Sequence, residues 1–158
     1  MKDNLPRLEK GFTLVELMVV IAIMGIMSGF ASYGIEALSQ GQRARNAGFE
    51  LMSSLVLARS EAVKRGVDVT VAPVSADSWQ SGWTTSAGGV TIRAQGAMAG
   101  VVIGTTATAV TYKNTGRLPL AQNNTLDFQI GPASSADYAR CVTLDLSGSP
   151  RSTTGACG

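Results

Sequence analysis

Lys10-Gly11-Phe12-Thr13-Leu14-Val15-Glu16 is the stretch on which the fold turns, because the run that follows it, Leu17–Ile35, carries no charge at all. At ~1.5 Å of rise per residue, ~20 helical residues cover the ~30 Å hydrocarbon core of a bilayer, so this run predicts a membrane-spanning helix. Glu16 falls in its first turn. A carboxylate inside such a segment costs roughly 2.5–3.5 kcal/mol on insertion scales, somewhat less near the interface, and acidic residues kept there have partners. The sequence therefore predicts a cation facing Glu16. Upstream, Lys2, Arg7 and Lys10 stand against Asp3 and Glu9, and a Lys/Arg excess before a span holds that end in the cytoplasm. The body of the chain is then expected on the periplasmic side. The apolar run is too long for a secretory signal and no small-x-small cleavage site follows it cleanly, so the helix is expected to stay.

The helical pattern continues past the span. Ala44, Ala47, Gly48, Leu51, Leu55, Ala58 and Ala62 recur at steps of three and four, with Arg43, Asn46, Glu50, Ser54 and Glu61 expected mainly on the other side. The predicted helix runs from Phe12 to about Lys64 and stops at Gly66, with Lys64 and Arg65 suited to its last turn. Gly25, Gly29, Gly34, Gly41 and Gly48 interrupt it. Close packing is one reading of these glycines, and local melting on passing from bilayer to filament is a second. From Val67 onward the texture turns β-like. Val67–Val74, Val90–Arg93, Val101–Ile103, Ala109–Tyr112, Leu126–Ile130 and Arg140–Leu146 read as strands. Ala87-Gly88-Gly89, Asn114-Thr115-Gly116, Gln122-Asn123-Asn124 and Ser147-Gly148-Ser149-Pro150 read as turns. One antiparallel sheet covering the helix stripe is the expected head. Trp79 and Trp83 flank Gly82, which suits a tight turn with both rings in a sheet-edge core cluster. Cys141 and Cys157 are most simply a disulfide in an oxidising compartment, a 17-residue loop contributing on the order of 3 kcal/mol. A metal site or redox pair is the weaker alternative, since the chain has no CxxC and no histidine.

A basic leader ending in Lys10-Gly11, then Phe12-Thr13-Leu14-Val15-Glu16 opening an apolar helix, resembles the processing site of type IV prepilins and type II secretion pseudopilins. Further on, Leu57-Ala58-Arg59-Ser60-Glu61-Ala62-Val63-Lys64-Arg65, Trp79-Gln80-Ser81-Gly82-Trp83 and Asn114-Thr115-Gly116-Arg117 are similar to motifs of the FimT/GspH group of minor pilins and minor pseudopilins. The resemblance implies cleavage by the prepilin peptidase between Gly11 and Phe12 and methylation of the new Phe12 amine. It implies that Glu16 pairs with the Phe12 ammonium of a neighbouring subunit during assembly, which supplies the missing cation. A buried charge pair of that kind serves register better than raw stability, because desolvation offsets most of its attraction.

The expected fold is α+β and type IV pilin-like, a long N-terminal transmembrane and amphipathic helix packed on an antiparallel β-sheet head. Residues 1–11 are the expected cleaved leader, 12–36 the hydrophobic transmembrane or filament-core helix, 37–66 the amphipathic half and 67–158 the periplasmic head. Catalysis has little to stand on. Without histidine neither a Ser-His-Asp arrangement nor a His-ligated metal site can be built, the head's aspartates are scattered, and Gly88-Gly89 lacks the Lys-Ser/Thr of a phosphate loop. No enzyme activity, cofactor or metal is expected. Some FimT-type proteins bind DNA through a C-terminal G-R-x-R motif, and here the matching stretch is Gly148-Ser149-Pro150-Arg151, with only the second arginine present. Arg93, Lys113, Arg117, Arg140 and Arg151 are balanced by Asp68, Asp77, Asp127, Asp137 and Asp145, so the head is formally neutral, whereas DNA binding rests on clustered cations. Arg151, Arg140 and Arg117 are the candidate DNA contacts if they gather on one face. On the helix Arg43, Arg45, Arg59, Lys64 and Arg65 outnumber Glu50 and Glu61, with Arg43 and Arg45 placed to meet lipid headgroups or acidic neighbours. The functional expectation is a minor type IV pilin, a single-pass inner-membrane precursor that joins a pilus in its priming or tip complex. Its partners would be other major and minor pilins, the prepilin peptidase and the assembly machinery. A type II secretion minor pseudopilin, a DNA-binding competence pilin and a plain bitopic receptor or scaffold are the alternatives.

Overall fold

The computed structural model describes residues 11–75, 78–119, 125–132 and 138–158, with the backbone alone over 30–38. Helix α1 spans Leu14–Arg65. Its end lies at the predicted glycine: Gly66 takes φ +68° and its N–H donates to the Ala62 carbonyl at 3.0 Å. That left-handed cap satisfies a carbonyl the helix leaves open, and Lys64 and Arg65 in the last turn face the negative end of the dipole. Two compact units divide the chain between Ala37 and Leu38.

In the first unit the described helical side chains from Leu14 to Met27 are apolar and exposed, apart from Glu16 and small residues. Among the described residues no helix is long and apolar enough to cross a membrane. Of the expected span Leu17–Ile35, side chains are described only over 17–29, which at ~1.5 Å per residue rise ~20 Å against a core of ~30 Å.

The second unit holds the rest of α1 and eight strands: β1 Val69–Ser75, β2 Ser78–Ala87, β3 Val90–Gln95, β4 Val101–Gly104, β5 Val110–Tyr112, β6 Leu126–Pro132, β7 Arg140–Leu144 and β8 Pro150–Thr154. They form two four-stranded antiparallel sheets rather than one, in the orders β3-β2-β1-β5 and β4-β6-β7-β8. The six expected strands are all present. The turns at Gly88-Gly89, at Asn114-Thr115 and before Gly148 also lie where expected, while Gln122-Asn123-Asn124 falls outside the described residues. Two strands, β2 and β8, had no counterpart in the sequence reading. The tryptophan motif is part of β2, an inner strand, so Gly82 marks no chain reversal. Gly82 takes φ +99° inside the strand, where a Cβ would overlap the Gln95 carbonyl oxygen of β3.

One core joins helix and sheets. Ala47, Leu51, Leu55, Ala58 and Ala62 of α1 meet Val69, Val71, Trp79, Trp83, Val110 and Tyr112 of the first sheet, and Ile103, Phe128, Ile130, Val142 and Leu144 of the second. Full burial of side chains of this size is worth ~1.5–3 kcal/mol each. Trp79 links the sheets directly, standing edge-on to Phe128 of β6 with centroids 5.0 Å apart and donating its indole N–H to the Ala107 carbonyl at 2.8 Å. Inward residues from two sheets reach the helix stripe from two sides, and this is why Ser54, expected on the polar side, is fully buried. Its hydroxyl accepts the Trp83 indole N–H at 2.9 Å.

Candidate functional site

The amino-terminal site is built by a reciprocal cap. Thr13 precedes the first helical residue; its hydroxyl accepts the Glu16 N–H at 3.2 Å, and its own N–H donates to a Glu16 carboxylate oxygen at 3.5 Å. This is a capping box of the T-x-x-E kind, satisfying two backbone donors at the helix start. It also places the carboxylate at the positive end of the helix dipole. Sequence reading singled out Glu16 for its charge and missed this local role, although the Thr13/Glu16 spacing signals it. Gly11 and Phe12 lie outside the helix and are exposed, so the peptide bond between them stands on an accessible stretch of backbone ahead of the cap.

In the head, Arg59 ties the helix to two loops that are distant in sequence. Its Nε donates to the Gly116 carbonyl at 3.1 Å and a terminal nitrogen donates to the Ser149 hydroxyl at 2.8 Å. The loops meet so closely that a Cβ on Gly148 (φ +78°) would overlap the Gly116 carbonyl oxygen, and the Leu118 N–H donates to Leu146 at 3.3 Å. Beside them a cleft of about 500 Å³ is lined by Lys113, Thr115, Arg117, Leu118, Pro119 and Leu146. Lys113 already has a partner, Asp68, at 2.6 Å, and its hydrogen bond and charge hold that carboxyl below the usual range. Asp145 is held low chiefly by the Ser147 hydroxyl, with smaller help from backbone N–H groups and Arg151.

The three candidate DNA contacts do not converge. Arg140 pairs in register with Thr154, and Arg151 with Thr143. Successive residues of a strand face opposite ways, so Arg140 shares a face with Val142 and Leu144, and Arg151 takes the other. Arg140 lies along the helix, its Cδ 3.7 Å from a Cβ built at Gly48. Arg117 is exposed at the cleft. Gly41 is similarly covered by the Tyr138 ring, 3.1 Å from a built Cβ, so two of the helix glycines serve close approach of the head's own chain. Cys141 of β7 and Cys157 form the expected disulfide, with Cα atoms 5.0 Å apart.

Residues 6–32 match the model of the prokaryotic N-terminal methylation motif, and residues 47–148 match that of the type II transport protein GspH family. A search of curated proteins gives no match. Among solved structures, the type IV minor pilin FimU of Pseudomonas aeruginosa is similar at 20% identity and a TM-score of 0.58, over 70% of this chain and 90% of that one. A second crystal form of FimU gives 19% identity and a TM-score of 0.61, over 72% and 88%. The minor pseudopilin EpsH of the Vibrio cholerae type 2 secretion system is similar at 16% identity and a TM-score of 0.55, over 71% and 97%. At such identities the likeness is one of fold. The family match covers most of the head and over half of the chain, and the methylation motif falls on the capped helix start; the chain therefore belongs to the GspH family of pilin-like and pseudopilin-like proteins.

Proposed function

We propose that the chain is a minor type IV pilin, cut between Gly11 and Phe12 by the prepilin peptidase, methylated on the new amine and built into a pilus as a priming or tip subunit. The precursor crosses the inner membrane once, with residues 1–11 cytoplasmic and the head periplasmic. One observation supports this reading above the rest: an accessible Gly11-Phe12 bond sits directly before a Thr13/Glu16 cap that opens an apolar, exposed helix. In the filament the helices from Phe12 bundle, and Glu16 pairs with a neighbour's Phe12 ammonium.

The cap gives the test a second arm. Glutamine keeps the capping geometry but not the charge, so Glu16→Gln separates the two roles of this side chain. Glu16→Gln and Glu16→Val are both expected to insert, to be cleaved and to be missing from sheared filaments. Normal incorporation of Glu16→Gln would leave capping as the whole role of Glu16. Mass spectrometry of the cellular protein with Met1 still attached would end the pilin reading altogether.

A type II secretion pseudopilin is the second reading, supported by the GspH family match and by the likeness to EpsH, which covers 97% of that chain. Deletion that abolishes exoprotein release and spares twitching would select it. The DNA-binding reading has less support, since the register of β7 and β8 keeps Arg140 and Arg151 on opposite faces.

A further inference from the structure

Where α1 enters the head, three arginines stand around it without partners. Arg43 and Arg45 are exposed and Arg140 is half-buried, and among the described residues none of the three donates to a carboxylate or a carbonyl. Glu50, the nearest described acid along the helix, is held by Arg93 at 2.7 Å. An isolated surface arginine is simply hydrated, whereas two of these are held in place by the head.

Arg43 and Arg45 are two residues apart, ~200° around the helix axis, so they leave α1 on opposite sides. Arg43 lies against the loop before β4, where its terminal nitrogen would be 2.7 Å from a Cβ at Gly100. On the far side the stem of Arg140 lies 3.7 Å from a Cβ built at Gly48, and the Tyr138 ring 3.1 Å from one built at Gly41. From Gly41 to Gly48 the helix rises only ~10 Å. The three cations and the ring therefore form a collar at one level of α1, and the ring keeps 43% of its surface exposed.

A ring of charge around an axis fits a plane that the axis crosses, whereas a folded partner would meet one side of it. The sequence supplies such a plane. Ile35, the last residue of the charge-free run, stands eight residues before Arg43, or ~12 Å of helical rise, and headgroups extend ~5–8 Å beyond each face of the hydrocarbon core. Arginine stems lie along apolar surface and carry the charge to an interface, where anionic headgroups attract it and tyrosine settles at the same depth. We infer that the collar of Arg43, Arg45, Arg140 and Tyr138 binds the headgroups of anionic phospholipids in the periplasmic leaflet, seating the head on the membrane before assembly. This rests on the reading of the chain as a single-pass membrane protein with a periplasmic head, and adds a lipid site to it.

The test reconstitutes the full-length chain in phosphatidylcholine vesicles that carry a trace of phosphatidylglycerol with a photoactivatable headgroup or, separately, of phosphatidylcholine with the same group. A basic residue beside an anionic surface is worth about fivefold in binding, so peptides holding residues 43–45 and 138–140 are expected to take up the anionic probe at least fivefold over the neutral one. Arg43→Gln with Arg45→Gln, which leaves the packing of Arg140 untouched, is expected to lose most of that preference. Arg43→Lys with Arg45→Lys should keep it, and Arg117→Gln, at the cleft, should behave as the parent. Equal labelling by the two probes, loss in the lysine pair, or equal loss in Arg117→Gln would overturn the proposal. In cells, benzoylphenylalanine at position 138 is expected to give lipid adducts; protein adducts alone would assign the collar to an acidic neighbour and overturn it too. If alkaline extraction strips the cellular protein from the membrane, the membrane reading falls, and the collar with it. If the protein stays embedded but shows no headgroup preference, the collar fails and the membrane reading stands.

Discussion

Ser54 and Tyr112 are buried polar residues in opposite situations. The Ser54 hydroxyl accepts the Trp83 indole N–H inside the core. The Tyr112 hydroxyl has no hydrogen-bond partner among the described residues. Burial pushes the Tyr112 hydroxyl far above the usual tyrosine range, against a smaller opposing pull from Arg59, so the ring stays neutral at any working pH. Removing one member of a buried pair leaves the other unpaired at a cost of ~1–3 kcal/mol, whereas removing a hydroxyl that already lacks a partner relieves its desolvation. Ser54→Ala is therefore expected to lower the head's stability by about 1–3 kcal/mol, and Tyr112→Phe to leave it unchanged or raise it slightly. Thermal unfolding of the two variants beside the parent checks both. A loss as large for Tyr112→Phe as for Ser54→Ala would mean that the tyrosine hydroxyl is bonded after all.

Strand β8 shows what an element owes to covalent chemistry. From Arg151 to Thr154 its residues are exposed, so apolar burial does little to hold it; the β7 ladder and the Cys141–Cys157 bridge do. The bridge closes 16 residues of sequence separation, for which loop entropy gives ~3 kcal/mol. Cys157→Ser with Cys141→Ser is expected to cost about that much and to release β8 first, seen as loss of amide protection at Arg151 and Thr153, whose N–H groups face β7, before any at Val142. Uniform loss across β7 and β8 would show that the bridge supports the whole sheet instead. The same exposure explains why β8 was illegible in the sequence: a strand with no buried face carries no apolar alternation to read. Strand β2 was missed for another reason, since Gly82 between two tryptophans suggests a turn. Its positive φ instead serves a close approach to Gln95 within the ladder. Helix α1 was legible at both ends because Gly66 and the charge-free run are local signals. The Gly11-Phe12 bond and Glu16 were visible as a motif, but the Arg59 clasp was not. Its partners lie 57 and 90 residues away, and no local pattern announces them.

At the scale of the molecule, helix and core do not share a boundary. Helix α1 begins at Leu14, yet the buried hydrophobic residues begin at Ala44, and the second compact unit starts at Leu38. The described side chains between Leu14 and Gly29 are exposed, so cutting the chain before Leu38 removes none of the described core. A domain of more than ~100 residues with its own core and a disulfide is expected to fold alone and cooperatively. Residues 38–158 secreted to an oxidising compartment should therefore unfold in one transition. Far-ultraviolet circular dichroism, which follows helix and sheets, should coincide with the fluorescence of Trp79 and Trp83, which sit where the sheets and α1 meet. Loss of helix signal at lower denaturant than the tryptophan signal would show that the amphipathic half of α1 depends on the residues before 38. Coincident transitions would mean that the stability of the head resides within residues 38–158, leaving the exposed segment before it available for contacts with other chains.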